Sequence, residues 1–265
     1  MSPPRVLVTG AAGNIGSAVR DGFRGAYPFV RLTDVRDLPR AGPGEEVVQA
    51  DLSDFERALA VTAGVDVVVH LGAIPGEDTF ARLLAANVAA TRNVFEAARR
   101  QGVRRVVFAS TNHVTGFYPA AQRIGPDDPV RPDTLYGVTK VFGEALGRLY
   151  ADKFGLEVVC LRIGAFGERP SDANSARMWL SPRDGVQLVR RSVDSPGVGF
   201  LVVYGASRVP DPFWENPNAA RIGYEPEDRL DDTASPEEQE SDHFQGGPFT
   251  APDHGPEFGG GEETK

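Results

Sequence analysis

The stretch RVLVTGAAGNIGSAV, Arg5 to Val19, constrains the chain more than any other. An apolar strand runs directly into Gly10, Gly13 and Gly16, three glycines within seven residues. Without a Cβ, a glycine turn lets the backbone close on a bulky anion. The start of the following helix then offers unpaired N–H groups and a positive dipole end. A tight turn with close helix packing uses the same glycines, so context must choose between the two. Here a strand precedes, a helix follows, and Asp34 ends the second apolar run. A carboxylate there accepts hydrogen bonds from both hydroxyls of an adenine ribose and repels a 2′-phosphate. These features describe a dinucleotide site built on Gly10, Gly13, Asn14, Ile15, Gly16 and Asp34, for NAD in preference to NADP. Arg36, two residues on, leaves NADP open.

Beyond that turn, short β-branched runs alternate with segments of helical period. Strands are expected at 5–9, 30–34, 47–51, 65–72, 104–111, 157–164 and 200–207. Several are apolar throughout, as in strands covered on both faces. SDFERALAVTAG opens with a Ser53/Glu56 capping box and closes at Gly64, and DTFARLLAANVAATRNVFEAARRQG runs as one helix to Gly102. LYGVTKVFGEALGRLYADKFG ends at Gly155, and SPRDGVQLVRRSV begins with Ser181 as cap ahead of Pro182. Repeated strand–helix–strand units require right-handed crossovers. They predict a Rossmann-type α/β fold: a doubly wound parallel sheet with a small C-terminal substrate-binding part. Residues 1–224 make one such domain, with the substrate pocket in the loops around 73–80, 111–134 and 164–181.

The net charge of −9 has to be located before it means anything. Residues 225–265 hold 13 of the 37 acidic residues and 2 of the 28 basic ones, which leaves residues 1–224 at a net +2. A nearly neutral body without a basic cluster argues against a nucleic-acid partner. The acidic segment, rich in Pro and Gly, is expected to be a largely flexible tail, with FQGGPF (244–249) as a stretch that docks onto the body. No apolar run approaches the ~20 residues that span a bilayer. The first strand starts almost at Met1, so a cytoplasmic location without a leader is expected. The one cysteine, Cys160, sits in the apolar run EVVCLRI and reads as packing. No metal site is expected.

In QADLSD (49–54), Asp51 and Leu52 are placed to flank an adenine, and HLGAIP (70–75) should carry Leu71, Gly72 and Ala73 past the ribose and diphosphate. His70 reads as a histidine satisfied by its surroundings rather than a catalyst. Downstream, YGVTK sets Tyr136 and Lys140 at i and i+4 on one helix face. An ammonium there would lower the phenol pKa from ~10 toward the range of a useful general base. FASTNH brings Ser110, Thr111, Asn112 and His113 to the carboxyl edge of the sheet, where doubly wound folds place ligands. A hydroxyl at Thr111 can bridge a substrate oxygen and the phenolate.

These pieces, in this order, resemble the extended short-chain dehydrogenase/reductase superfamily over about residues 5–224. The resemblance implies hydride transfer at a nicotinamide, with Tyr136 exchanging the proton and Lys140 holding the ribose. STNHVTGFYP, LYGVTKVFGE, LRIGAF, RMWLSPRD and FQGGPF further resemble the uronate dehydrogenases. That likeness implies NAD-dependent oxidation of a sugar acid at C1 to an aldarolactone. It implies Phe166 at the coenzyme, Thr111, Asn112, His113 and positions 75 and 165 at the sugar, and Arg177 on its carboxylate, apt because a guanidinium fork matches a carboxylate bidentately. The chain departs from that pattern at Pro75, Thr111 and Ala165, where serine is usual. Thr111 keeps the hydroxyl, whereas Pro75 and Ala165 remove two sugar contacts.

Two rivals stand beside this reading. A nucleotide-sugar epimerase or dehydratase uses the same triad but needs a larger C-terminal lobe than the roughly 60 residues between Gly164 and the tail. A non-catalytic NAD-binding sensor would have no use for an intact Tyr136/Lys140 pair. A homo-oligomer is expected, seamed by the helices at 80–101 and 135–154.

Overall fold

The structure is a computed structural model that describes residues 3–230 and 243–258. In chain order its strands are β1 (Arg5–Thr9), β2 (Phe29–Asp34), β3 (Glu45–Gln49), β4 (Val67–His70), β5 (Arg105–Thr111), β6 (Glu157–Ile163), β7 (Ala165–Phe166), β8 (Trp179–Leu180) and β9 (Phe200–Gly205). Seven of them form one sheet in the order β3-β2-β1-β4-β5-β6-β9, every pair parallel, and β7 and β8 form a two-stranded ribbon beside it. The winding reverses between β1 and β4, so the connections there leave in opposite directions and a crevice opens at the carboxyl edge.

The apolar strands supply both faces at once. Val6, Val8, Val67, Val69, Val107 and Val159 face α1 (Asn14–Phe23) and α6 (Pro182–Asp194). Leu7, Val68, Val106 and Val158 face α2 (Phe55–Thr62), α4 (Ala90–Arg100) and α5 (Leu135–Phe154). This two-residue alternation between two buried faces is why the strands read as continuous hydrophobic runs.

Local signals held at some helix ends and failed at others. Ser181 accepts from Asp184 N with Pro182 in the first turn, and α5 closes on left-handed Gly155. For α2 the cap is Asp54, whose carboxylate accepts from the N–H groups of Glu56 and Arg57, so the Ser53/Glu56 box is corrected by one residue. The long helix expected up to Gly102 is broken: α3 (Phe80–Leu83) passes into a π-helical stretch, Leu84–Ala89, before α4 begins. That extra residue per turn turns Asn87 inward. There its Oδ1 accepts from Ile74 N (2.8 Å) and its Nδ2 donates to Thr139 Oγ1 (3.1 Å).

In the described parts of the acidic segment, 225–230 and 243–258, the FQGGPF stretch packs against the body, and so do Asp228 and Leu230, whereas many of the other residues are exposed. Asp228 accepts from Ser181 Oγ, and Leu230 is buried beside Trp179. Ala120 N donates to His243 O, Gln245 N to Tyr118 O and Gly246 N to Gly116 O. Gln245 also receives the Trp214 indole N–H (3.1 Å). Residues 231–242 and 259–265 lie outside the described residues.

Helix α5 sits unusually close to the sheet because Gly143 and Gly147 face Phe108 and Val158. A buried ion pair pins it there: Arg162 Nη2 meets Glu144 Oε2 at 2.9 Å, Ser110 Oγ donates to Glu144 Oε1 (2.6 Å), and Arg162 Nη1 donates to Tyr204 Oη (3.0 Å). Glu144→Ala strands a buried guanidinium and should cost about 3–5 kcal/mol in denaturant unfolding. Glu144→Leu combined with Arg162→Met, which strands no charge, should recover most of it. Equal stability of the double and the single variant would exclude this account.

Candidate active site

One cavity of about 860 Å³ runs along the carboxyl edge of the sheet. At one end lies the β1–α1 turn. Gly10 is left-handed (φ +68°), and a Cβ there would come within 2.6 Å of Gly72 N. Gly16 likewise faces the Gly10 carbonyl with no room for a side chain. Gly13 occupies the N-cap of α1 and brings no side chain to its first-turn N–H groups, which lie with Asn14 and Ile15 on the cavity wall. A turn of this kind at the positive end of a ten-residue helix has the geometry to hold a diphosphate. Asp34 Oδ2 accepts from Ala12 N (2.9 Å) and Oδ1 from Arg36 N (3.0 Å), which aims the carboxylate into the same wall. Arg36 Nε also leans on Asp34 (3.3 Å), so this guanidinium is drawn to the acid rather than held apart for a phosphate. Asp51, Leu52, Leu71, Gly72, Ala73 and Phe166 line the same cavity.

His70 is spoken for. Its ring nitrogens meet Thr9 Oγ1 (2.7 Å) and Thr91 Oγ1 (3.2 Å), and burial drops its pKa to about 3, so it is neutral and structural.

The middle of the cavity holds Tyr136, Lys140 and Thr111, all buried. Lys140 Nζ donates to Ala109 O (2.8 Å) and lies 5.6 Å from the Tyr136 ring centroid. In the chain alone, burial controls both groups. It pushes the phenol up to about 12, partly offset by a hydrogen bond with Thr111, and pulls the ammonium down to about 7. The expected lowering of the phenol pKa by Lys140 is therefore absent from the protein by itself. Both Ser110 and Thr111 line the cavity, but the Ser110 hydroxyl is committed to Glu144, which leaves Thr111 as the hydroxyl of this pair that can serve a bound molecule.

Asn112, His113, Pro75 and Ala165 line the far end. His113 Nδ1 is 2.9 Å from the buried Asp133 carboxylate, which fixes the ring and leaves Nε2 as its other nitrogen. Arg177 is the nominated residue that the fold does not bring in: it is absent from the cavity wall. Its Nη2 meets Asp211 at 2.7 Å, its Nε donates to Asp211 O, and it lies 4.1 Å over the Phe213 ring. A polar wall of Asn174, Ser175, Ser171 and Asp172 stands at this end instead. Reasoning from sequence also missed Pro248 and Phe249, although FQGGPF hinted at them; Phe249 packs at 4.3 Å on the His113 ring. Nothing in the sequence marked Asn87.

Residues 6–181 match the model of the NAD dependent epimerase/dehydratase family, and the chain belongs to that family. Within it, the chain is 41% identical to a uronate dehydrogenase of Pseudomonas putida over 84% of both chains. It is also 41% identical to one of Agrobacterium fabrum over 92% of this chain and 96% of the other. The crystal structure of an Agrobacterium tumefaciens uronate dehydrogenase mutant complexed with NAD superposes with a TM-score of 0.88 at 40% identity, covering 93% of this chain and 96% of that one.

Two outcomes follow from this geometry. In the coenzyme-free protein, an ultraviolet difference titration of wild type against Tyr136→Phe should show no Tyr136 phenolate at about pH 10, two units below its midpoint. Because Arg177 is engaged by Asp211, Arg177→Ala should change KM for a uronic acid by less than about threefold. Loss of a direct charge-assisted anchor would raise it by about tenfold to a hundredfold.

Proposed function

We propose that the protein oxidises a uronic acid at C1 to its aldarolactone, with NAD as hydride acceptor. The observation that carries this reading is a phenol, Tyr136, set beside Thr111 and Lys140 on the same cavity that holds the glycine cradle and Asp34. When bound, NAD supplies the hydride acceptor and places a positive ring charge near the phenol.

The chain's own residues do the rest. Thr111 and Tyr136 hydrogen-bond the hemiacetal hydroxyl of the sugar. Tyr136, ionised in that setting, takes the hydroxyl proton as the C1–H bond breaks, and the C1–O bond becomes the lactone carbonyl. Lys140, held by the Ala109 carbonyl, serves the ribose hydroxyls and the phenolate together. Asn112 and His113, the latter fixed by Asp133, orient the ring oxygens and the carboxylate end, with Asn174 and Ser175 completing the wall. Pro75 and Ala165 leave that end less polar than serines would, so positioning depends more heavily on Asn112 and His113.

The narrow C-terminal part supports a small substrate over a nucleotide sugar. The exposed apolar residues Leu84, Val138 and Leu149 lie on the two helical stretches expected to pair, which supports a homo-oligomer. No described helix is long and apolar enough to cross a membrane, and together with the lone buried cysteine this supports a cytoplasmic enzyme.

Tyr136→Phe should lower kcat by about 10²-fold or more while NAD affinity stays within about twofold. NADH formation measured across uronic acids, neutral aldoses and UDP-sugars tests the substrate. Turnover confined to neutral aldoses or to UDP-sugars would replace the uronate.

A further inference from the structure

We propose that Glu77 is a positioning residue, whose carboxylate clasps the first turn of α5 and sets where the Tyr136 phenol stands. The proposal rests on the assignment of Tyr136 as proton acceptor.

Glu77 lies in the loop between β4 and α3. Its Oε1 accepts from Leu135 N (2.8 Å) and its Oε2 from Tyr136 N (2.7 Å), across 58 and 59 positions of sequence. Thr134 takes the next donor, its Oγ1 accepting from Gly137 N (2.9 Å), and its carbonyl accepts the first intrahelical bond, from Val138 N (3.0 Å). The three unpaired N–H groups that α5 itself begins with, those of Leu135, Tyr136 and Gly137, therefore all have partners. Thr134 is the ordinary local cap, whereas Glu77 is supplied from the coenzyme side of the site. A carboxylate on two successive amides fixes the rotation of that turn as well as its distance, and its charge sits at the positive end of a 20-residue helix. The same loop carries Leu71, Gly72 and Ala73 past the dinucleotide and Ile74 and Pro75 to the substrate end. Glu77 thus joins the wall that holds the coenzyme to the helix that holds the base.

The clasp is backed from behind. Gly255 packs on its stem so closely that a Cβ there would come within 2.7 Å of Glu77 Cγ. Two residues on, Glu257 Oε1 accepts from Phe80 N (2.7 Å) and ties the C-terminal segment to the start of α3. That segment also presents Phe249 to His113. Without the carboxylate, the first turn of α5 has two amides to satisfy with water, and the phenol loses its fixed distance to the sugar oxygen. Misplacement by about 1 Å is enough to cost a reaction of this kind up to 10²-fold.

The test compares E77A, E77Q and G255A in the full chain. It reads kcat, KM for the uronic acid, the NAD dissociation constant and amide hydrogen exchange at Leu135 and Tyr136. E77A should lose about tenfold or more in kcat, with NAD binding within about twofold of wild type and faster exchange at both amides. E77Q keeps one acceptor oxygen and should fall between E77A and wild type. G255A leaves the carboxylate chemically intact, but a Cβ at this left-handed position (φ +95°) pushes away either Glu77 or the C-terminal segment; faster exchange at Leu135 and Tyr136 identifies the first case, in which kcat should move in the direction of E77A. A kcat for E77A within about twofold of wild type overturns the proposal, as does a loss of kcat matched by equal loss of NAD affinity in E77A and E77Q alike. If E77A does not fold, E77Q and G255A are judged by the same criteria. If the wild type forms no NADH on any uronic acid, the functional reading fails. Exchange then decides the clasp: unchanged rates at Leu135 and Tyr136 in the variants overturn it, and faster rates support it.

Discussion

Arg162 and Glu144 meet between β6 and α5, away from water, and the seat of α5 on the sheet depends on that contact. A buried pair of this kind contributes little net stability against a hydrophobic alternative, because desolvation consumes most of the Coulomb gain. What it supplies here is position. With Gly143 and Gly147 allowing close approach, it sets the height and rotation of the helix whose first two turns carry Tyr136 and Lys140. Ser110 joins the same carboxylate from the end of β5, one residue before Thr111. Strand and helix are thereby locked to each other one residue before Thr111 and one helical turn past Lys140.

The network continues outward. Tyr204, which receives Arg162, stacks on Trp214 at 4.5 Å, and the Trp214 indole donates to Gln245 of the C-terminal segment. A contiguous chain of packed and hydrogen-bonded side chains therefore runs from α5 to the C-terminal stretch that lines the cavity. The geometry of that wall and the geometry of the phenol are not independent quantities in this protein.

The site also shows how burial sets the default protonation of its two central groups. With neither phenolate nor ammonium favoured in a dry pocket, the chain alone holds Tyr136 protonated and Lys140 at about 7. Opposite charge brought beside such a phenol would favour its ionised form. The glycine turn and Asp34 line the same cavity as that phenol. Placement of the two halves along one edge follows from the reversal of winding between β1 and β4.

Much of this was legible in the residues alone. The spacing of Gly10, Gly13 and Gly16 after an apolar strand, Asp34 at the end of the next, and Tyr136 with Lys140 one turn on are local patterns, and local patterns survive in a linear string. The alternation of strand and helix carried the doubly wound sheet for the same reason. What the string does not hold is which distant groups meet. Arg177 was nominated by its neighbours in sequence, yet Asp211 and Phe213 claim its guanidinium. The helix over Asn87 has an unbroken helical period, and only its contacts with Ile74 and Thr139 explain the π-helical stretch. Glu77 looks like one more surface acid until α5 is docked against its loop. FQGGPF was marked by its composition as a docking stretch, but that Gln245 meets Trp214 and that Leu230 is buried beside Trp179 depends on parts of the chain far away in sequence. Local propensity and period are written residue by residue, but ion pairing, burial and capping across 58 positions exist only once the sheet has brought those residues together.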